Sequence, residues 1–366
     1  MSLIQHFNAT KQSVSAYQSA YKTVDGEYTF IDALDPIYDI GGIKHPLQNG
    51  GEYYRLDATK KHLYSCANRY LASNTSGAQV RIATDATKVK VRVTLRGAGN
   101  CMHHFTDRGV YGCDFYIGEG NNRSYVGNVM MTFANSKDYN EEVISLGEGV
   151  KEFYINLPLY EGVKKVEIGY PEGASISAPL PRQGGTVAFY GSSITQGGCA
   201  GRPGNMYSHI LCRQLDANNM NLGFSGSARG EQAVAMYLAS REGLTAFVMD
   251  YDFNALTPEE LAWTHFPFYQ TVRNAHPDLP IIMVTHPYYT SVATERDRRK
   301  CNVVFESYGK ALQNGDKKVW FVDSDKFFPE EMRDLCAVDF LHPNDLGNYF
   351  MAKAIYPSLK QALETK

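Results

Sequence analysis

From Thr186 to its end, the chain alternates short apolar runs with helical stretches, and few architectures satisfy that alternation. Strand-like runs stand near 186–190, 220–224, 245–250, 280–285 and 319–323. Helical stretches fill the gaps near 204–217, 229–240, 257–276 and 295–314, and a last one spans 344–364, where Pro357 should kink or divide it. A strand followed by a crossover helix returns to its sheet parallel and right-handed, so the pattern predicts a doubly wound parallel α/β sheet. In the 295–314 helix, Cys301, Phe305, Tyr308 and Leu312 recur at i, i+4, i+7 and i+11. They are expected to form its buried stripe, with Gly315 as the stop.

The first half reads differently. Val89, Val91, Val93 and Leu95 alternate with Lys88, Lys90, Arg92 and Thr94, the period of two that gives a strand one wet and one dry face. Phe153, Ile155 and Leu157 repeat the pattern, and Val166 and Ile168 resume it. Successive short strands without helical periodicity predict an antiparallel β-sandwich. Residues 170–185 are rich in Pro, Gly and Ser, which continue neither kind of element. The expected division is a sandwich domain over 1–182 and an α/β domain over 183–366.

The 366 residues are 43% hydrophobic and 20% charged, ordinary globular composition. A formal net charge of −3 and the lack of a Lys/Arg run argue against nucleic acid or anionic lipid as partner. Seven scattered cysteines without a C-x-x-C pair argue against a disulfide framework or a thiolate zinc site. No run of about 18 apolar residues occurs, and the N-terminus lacks the charged and apolar regions of a leader. A cytoplasmic protein is expected.

The run Thr186–Gly197 carries a strand into Gly191-Ser192-Ser193, which delivers the Ser193 hydroxyl where open α/β sheets place their chemistry. Near the C-terminus, Asp339 precedes His342 by three residues. A carboxylate within one turn can accept from one imidazole nitrogen and leave the other as base, making Ser193, His342 and Asp339 a candidate nucleophile, base and orienting acid. Gly226, after the second strand, and Asn254, after the third, are candidate donors to an oxyanion. Turn and cap roles account for either residue equally well. Asp250 and Asp252 have no histidine within a turn; Asp252 and His286 are candidate substrate contacts at the mouth of the crevice. The adjacent His103 and His104, read as strand residues facing opposite ways, suggest no metal, and no metal site is expected.

These four segments, in this order and spacing, resemble the sequence blocks of the SGNH (GDSL-type) hydrolase superfamily. The resemblance implies a flavodoxin-like catalytic sheet, Ser193 as nucleophile, Ser193, Gly226 and Asn254 as the oxyanion hole, and Asp339 with His342 as the acid–base pair. Block one here has Ser192 where the family has Asp, and block three reads Asp252-Phe253-Asn254-Ala255 without the family's flanking residues. Gly112-Cys113-Asp114-Phe115-Tyr116 resembles the Gly-x-Asp-Leu-Tyr signature of the jelly-roll-like β-sandwich that precedes some SGNH domains. Several proteins of that layout are carbohydrate esterases. The expectation is a cofactor-free serine esterase acting on short acyl esters, acetyl above all, of a small-molecule or oligosaccharide substrate, with homo-oligomer formation left open. The rivals are an acyltransferase using the same acyl-enzyme and a carbohydrate-binding protein whose catalysis has lapsed.

Overall fold

A computed structural model describes residues 1–97, 102–129, 138–287 and 294–365. The first half is two antiparallel sheets face to face. One runs Gln12–Ser13, Ser175–Ser177, Gln79–Thr84, Lys151–Asn156, Cys113–Glu119, Asn122–Val129, with Asp39–Gly41 also pairing along Gln79–Thr84. The other runs Lys22–Asp25, Tyr28–Asp32, Val163–Pro171, Lys88–Leu95, Asn140–Ser145. In Lys88–Leu95 the alternation holds as read: Val89, Val91 and Val93 are fully buried between half-exposed neighbours. Lys151–Asn156 departs from the expected wet face, since all six residues are buried. Its polar face is roofed over: Asn156 donates to Asp114, and Glu152 accepts the Leu180 N–H.

The second half is a five-stranded parallel sheet in the order Asn218–Gly223, Thr186–Gly191, Leu244–Asp250, Ile281–Val284, Val319–Val322. This 2-1-3-4-5 order is the flavodoxin type, and strand direction of travel reverses at Thr186–Gly191. A crevice outside the carboxyl ends of the strands is the geometric result. Helices Tyr207–Leu215, Gln232–Ala239, Pro258–Ala275, Glu295–Gln313 and Asp345–Glu364 cover the two faces. Among the described residues no helix is long and apolar enough to cross a membrane.

Two expectations about helices are corrected. On Glu295–Gln313 the buried residues are Lys300, Val304, Ser307 and Ala311, the expected spacing displaced by one position. Phe305 and Leu312 are 57% and 46% exposed. The helix lies over Val319–Val322, the edge strand, so its large side chains lean past that edge, where Phe305 and Tyr308 pack on the half-buried Phe321 ring. Lys300 takes an interior position because its ammonium donates to the Phe253 carbonyl at 2.8 Å. The last helix, Asp345–Glu364, is not divided by Pro357. Met351, Ile355, Leu359 and Ala362 are buried on both sides of the proline, and that packing outweighs the lost backbone hydrogen bond.

The halves are not independently packed. The sandwich core extends without interruption to Cys199, Ala200 and Met206 of the second half.

Candidate active site

The site begins at the switch strand. Thr186–Gly191 ends in a glycine whose added Cβ would sit 2.1 Å from both the Asp250 carbonyl oxygen and Thr195 Oγ1, so no side chain fits there. Ser192 caps a single helical turn, Ser193–Gln196, by accepting the Ile194 N–H, and Gly197 closes that turn at φ +105°. Ser192, the position at which the resemblance departs, is thus an N-cap, a task serine performs as well as aspartate. The turn leaves the Ser193 N–H at a helix N-terminus, where it has no intrahelical acceptor.

Ser193 Oγ lies 2.9 Å from His342 Nε2, and His342 Nδ1 lies 2.8 Å from Asp339 Oδ2. With the Nδ1–H donating to the carboxylate, Nε2 is left as acceptor for the serine hydroxyl. Asp339 and His342 are held by a small loop: Ala337 and Pro343 bridge, and the Val338 N–H donates to the His342 carbonyl. Asp339 Oδ1 also accepts the backbone N–H groups of Leu341 and His342 at 2.8 and 2.6 Å. Partial burial pushes the Asp339 carboxyl up, but hydrogen bonds from the His342 ring and from these N–H groups outweigh it and hold the carboxyl below its ordinary range. Asn344 then caps the last helix.

The other two segments are tied to this one in sequence. The Phe224 N–H donates to the Gly191 carbonyl, and the Phe224 carbonyl accepts the Asn254 side-chain amide at 3.2 Å. Gly226 follows at φ +65°, a conformation that suits glycine, with open space where a side chain would stand. One Asn254 N–H is therefore spent on the backbone and its other remains.

Asp252 and His286, expected as substrate contacts, face each other. The imidazole Nδ1 is 2.7 Å from Asp252 Oδ2, the His286 backbone N–H reaches the same carboxylate, and both residues are buried. Burial would push the His286 imidazole down, but the Asp252 charge overrides it and raises it to about 10. Asp250 is fixed beneath the Ser193–Gln196 turn by Thr195 and Tyr207 hydroxyls, each 2.9 Å away, and burial raises its carboxyl to about 7.

Several contributors carry no motif. Tyr160 of the sandwich donates its hydroxyl to the Ser193 carbonyl at 3.0 Å, and Ser76 donates to the Gln196 carbonyl at 2.6 Å. Arg55, fully buried, donates to the Asn221 and Gly223 carbonyls and so fixes the strand that leads to Gly226. Nothing in its local sequence marks it. Asp114, of the Gly-x-Asp-x-Tyr motif, accepts from Arg202 at 2.5 Å and from the Gly204 N–H at 2.9 Å, pinning the loop that follows the Ser193–Gln196 turn. His103 and His104 lie in a turn, not a strand, and the His104 ring sits 5.2 Å from the His342 ring, centroid to centroid. Ligand-type atoms of His104, Cys199 and His342 lie within 4.8 Å of one another, as do those of Asp252, His286 and Cys301.

Comparison with known proteins places both halves of the chain. Residues 185–360 match the model of the GDSL-like lipase/acylhydrolase family, and residues 28–176 match that of the N-terminus of SGNH hydrolase-type esterases. No curated protein sequence matches. The crystal structure of a Bacteroides ovatus protein assigned as a GDSL-like lipase superposes with a TM-score of 0.81 at 26% identity, covering 93% of this chain and 99% of the other. A salicylyl-acyltransferase from a tetracycline biosynthetic pathway has a TM-score of 0.73 at 15% identity over 95% of this chain and 99% of its own. An acetyl xylan esterase from Butyrivibrio proteoclasticus gives 0.58 at 13%, over 93% and 99%. The latter two, at such identities, share the fold. With its sandwich half and its sheet half each matched in the same order, the chain belongs to the SGNH (GDSL-type) hydrolase superfamily, in the layout that joins a GxDLY-type β-sandwich to the catalytic sheet.

Proposed function

We propose that this esterase or acyltransferase-family protein is a serine esterase that removes short acyl groups, acetyl foremost, from a carbohydrate. The observation that carries the reading is the unbroken relay from Ser193 Oγ through His342 to Asp339, at 2.9 and 2.8 Å. His342 Nε2 takes the serine proton as Oγ attacks the ester carbonyl, and Asp339 steadies the imidazolium that forms. The oxyanion draws on the N–H groups of Ser193 and Gly226 and the remaining N–H of Asn254. His342 returns its proton to the leaving alcohol, then activates the water that frees the acyl group. Phe340, 89% exposed between Asp339 and His342, offers an apolar face against which a sugar ring can lie. The acetyl xylan esterase that shares the fold is in keeping with a sugar ester substrate.

The test is hydrolysis of 4-nitrophenyl acetate and of acetylated mono- and polysaccharides, with long-chain esters alongside. Asp339→Asn should lower kcat by about 10⁴-fold and His342→Ala comparably, with folding intact by circular dichroism. Near-wild-type turnover in either variant removes that residue from the relay. Preference for long-chain esters overturns the sugar-ester substrate, and acyl transfer to an added alcohol in place of hydrolysis identifies a transferase.

A further inference from the structure

Three segments meet at the catalytic histidine, and each brings a metal-ligating atom. The turn 102–106 of the sandwich brings the exposed His104, the glycine-rich loop after the nucleophile turn brings the buried Cys199, and the 336–344 loop brings His342. Cys199 is held to the last of these by its N–H, which donates to the Pro343 carbonyl at 3.3 Å, and the preceding Gly198 N–H donates to the Ser193 carbonyl at 2.9 Å. The His104 ring lies beside that of His342, tilted 35° to it. We propose that His104, Cys199 and His342 form a binding site for a soft divalent cation, zinc in class, that spans the two halves of the chain and shuts off the esterase when filled.

Two imidazoles and a thiolate, with water in a fourth place, are a ligand set suited to zinc. Around one tetrahedral ion such ligand atoms stand about 3.3–3.6 Å apart, from bond lengths near 2.0–2.3 Å. The three atoms here are already within 4.8 Å, so a small turn of the exposed His104 ring would close the remaining gap. Binding expels the Cys199 thiol proton to solvent and leaves the sulfur as thiolate on the ion. Inhibition follows from the hydrogen bonds of the base. His342 uses Nε2 for Ser193 and Nδ1 for Asp339, so coordination through either nitrogen breaks the relay. The second cluster, Asp252, His286 and Cys301, is the competing site, but its carboxylate already accepts the His286 ring and backbone N–H groups in a buried ion pair.

The inhibition rests on the esterase reading; the binding does not, and the two are measured separately. Cobalt(II) titrated into the full-length protein should give a one-to-one thiolate-to-cobalt charge-transfer band that zinc displaces. The band should vanish in Cys199→Ser and persist in Cys301→Ser. Zinc should also slow 4-nitrophenyl acetate hydrolysis, reversibly with a chelator. The zinc concentration for half inhibition should rise about tenfold or more in Cys199→Ser and in the surface variant His104→Ala, each scaled to its own metal-free rate. Absence of a band in the wild type overturns the site, as does a band that survives Cys199→Ser and disappears in Cys301→Ser. Cobalt bound through Cys199 in a protein that hydrolyses no ester upholds the site and removes the esterase reading.

Discussion

Two aspartate–histidine pairs stand at the carboxyl edge of one sheet, and their surroundings give them opposite work. Asp339 and His342 are three residues apart and partly open to solvent, and the His342 ring keeps Nε2 toward Ser193 Oγ while Nδ1 meets the carboxylate. Asp252 and His286 are 34 residues apart in sequence and almost wholly buried, and their mutual attraction holds the imidazole protonated, with His286 raised to about 10. An imidazolium cannot act as a base; it holds in place the strand end that carries Asn254. The sign of its pH dependence follows. A histidine whose folded-state value is raised contributes stability fully below its unfolded value, about 6.5, and loses it as pH rises through about 10. Melting temperatures of wild type and His286→Gln should therefore differ most at pH 6 and converge toward pH 10; a difference that stays constant across that window refutes the ion pair. The first pair was legible because its spacing is local. The second was not, because only the adjacency of the third and fourth strands of the parallel sheet brings its members together, and each residue alone resembles a crevice contact.

At the scale of elements, periodicity predicted the helix Glu295–Gln313 but assigned its inward face one position late. Hydrophobicity alone favoured Phe305 and Leu312 as core, whereas a helix lying over an edge strand can leave large side chains at the rim. The interior position next to them is filled by Val304, and by Lys300 through a hydrogen bond that no hydropathy pattern encodes. Val304→Ala should cost about 1–3 kcal/mol in urea unfolding, while Phe305→Ser should stay within about 0.5 kcal/mol. Equal costs would return Phe305 to the core. The parallel strands themselves were legible, because strands covered on both faces read as continuous apolar runs between turn residues. Pro357 misled for the converse reason: a local rule about helices yields when the helix is buried along both flanks.

For the whole molecule, the decisive contacts are those the sandwich makes with the segment that begins at Ser193. Asp114, Tyr116, Tyr160 and Ser76 all reach residues 193–204. Asp114 is the most committed of them, fully buried with three partners, Asn156, Arg202 and Gly204. Asp114→Ala strands Arg202 without its carboxylate, and removing one member of such a pair costs about 3–5 kcal/mol. The expected outcome is a lower urea midpoint together with slower fluorophosphonate labelling of Ser193 under native conditions. Unchanged labelling in a destabilised variant would limit Asp114 to stability. The motif was legible as a resemblance, but its purpose was not, since Arg202 and Gly204 lie 88 and 90 residues further along the chain and carry no signature.

The Asp114–Arg202 staple also bears on how such a protein can change over descent. A sandwich joined only by the 178–185 segment could be exchanged for another by recombination there. Here the exchange would remove the carboxylate, the tyrosine hydroxyls and the apolar packing on which the residues after Ser193 rest, so the two halves have to be inherited as a pair and drift in concert.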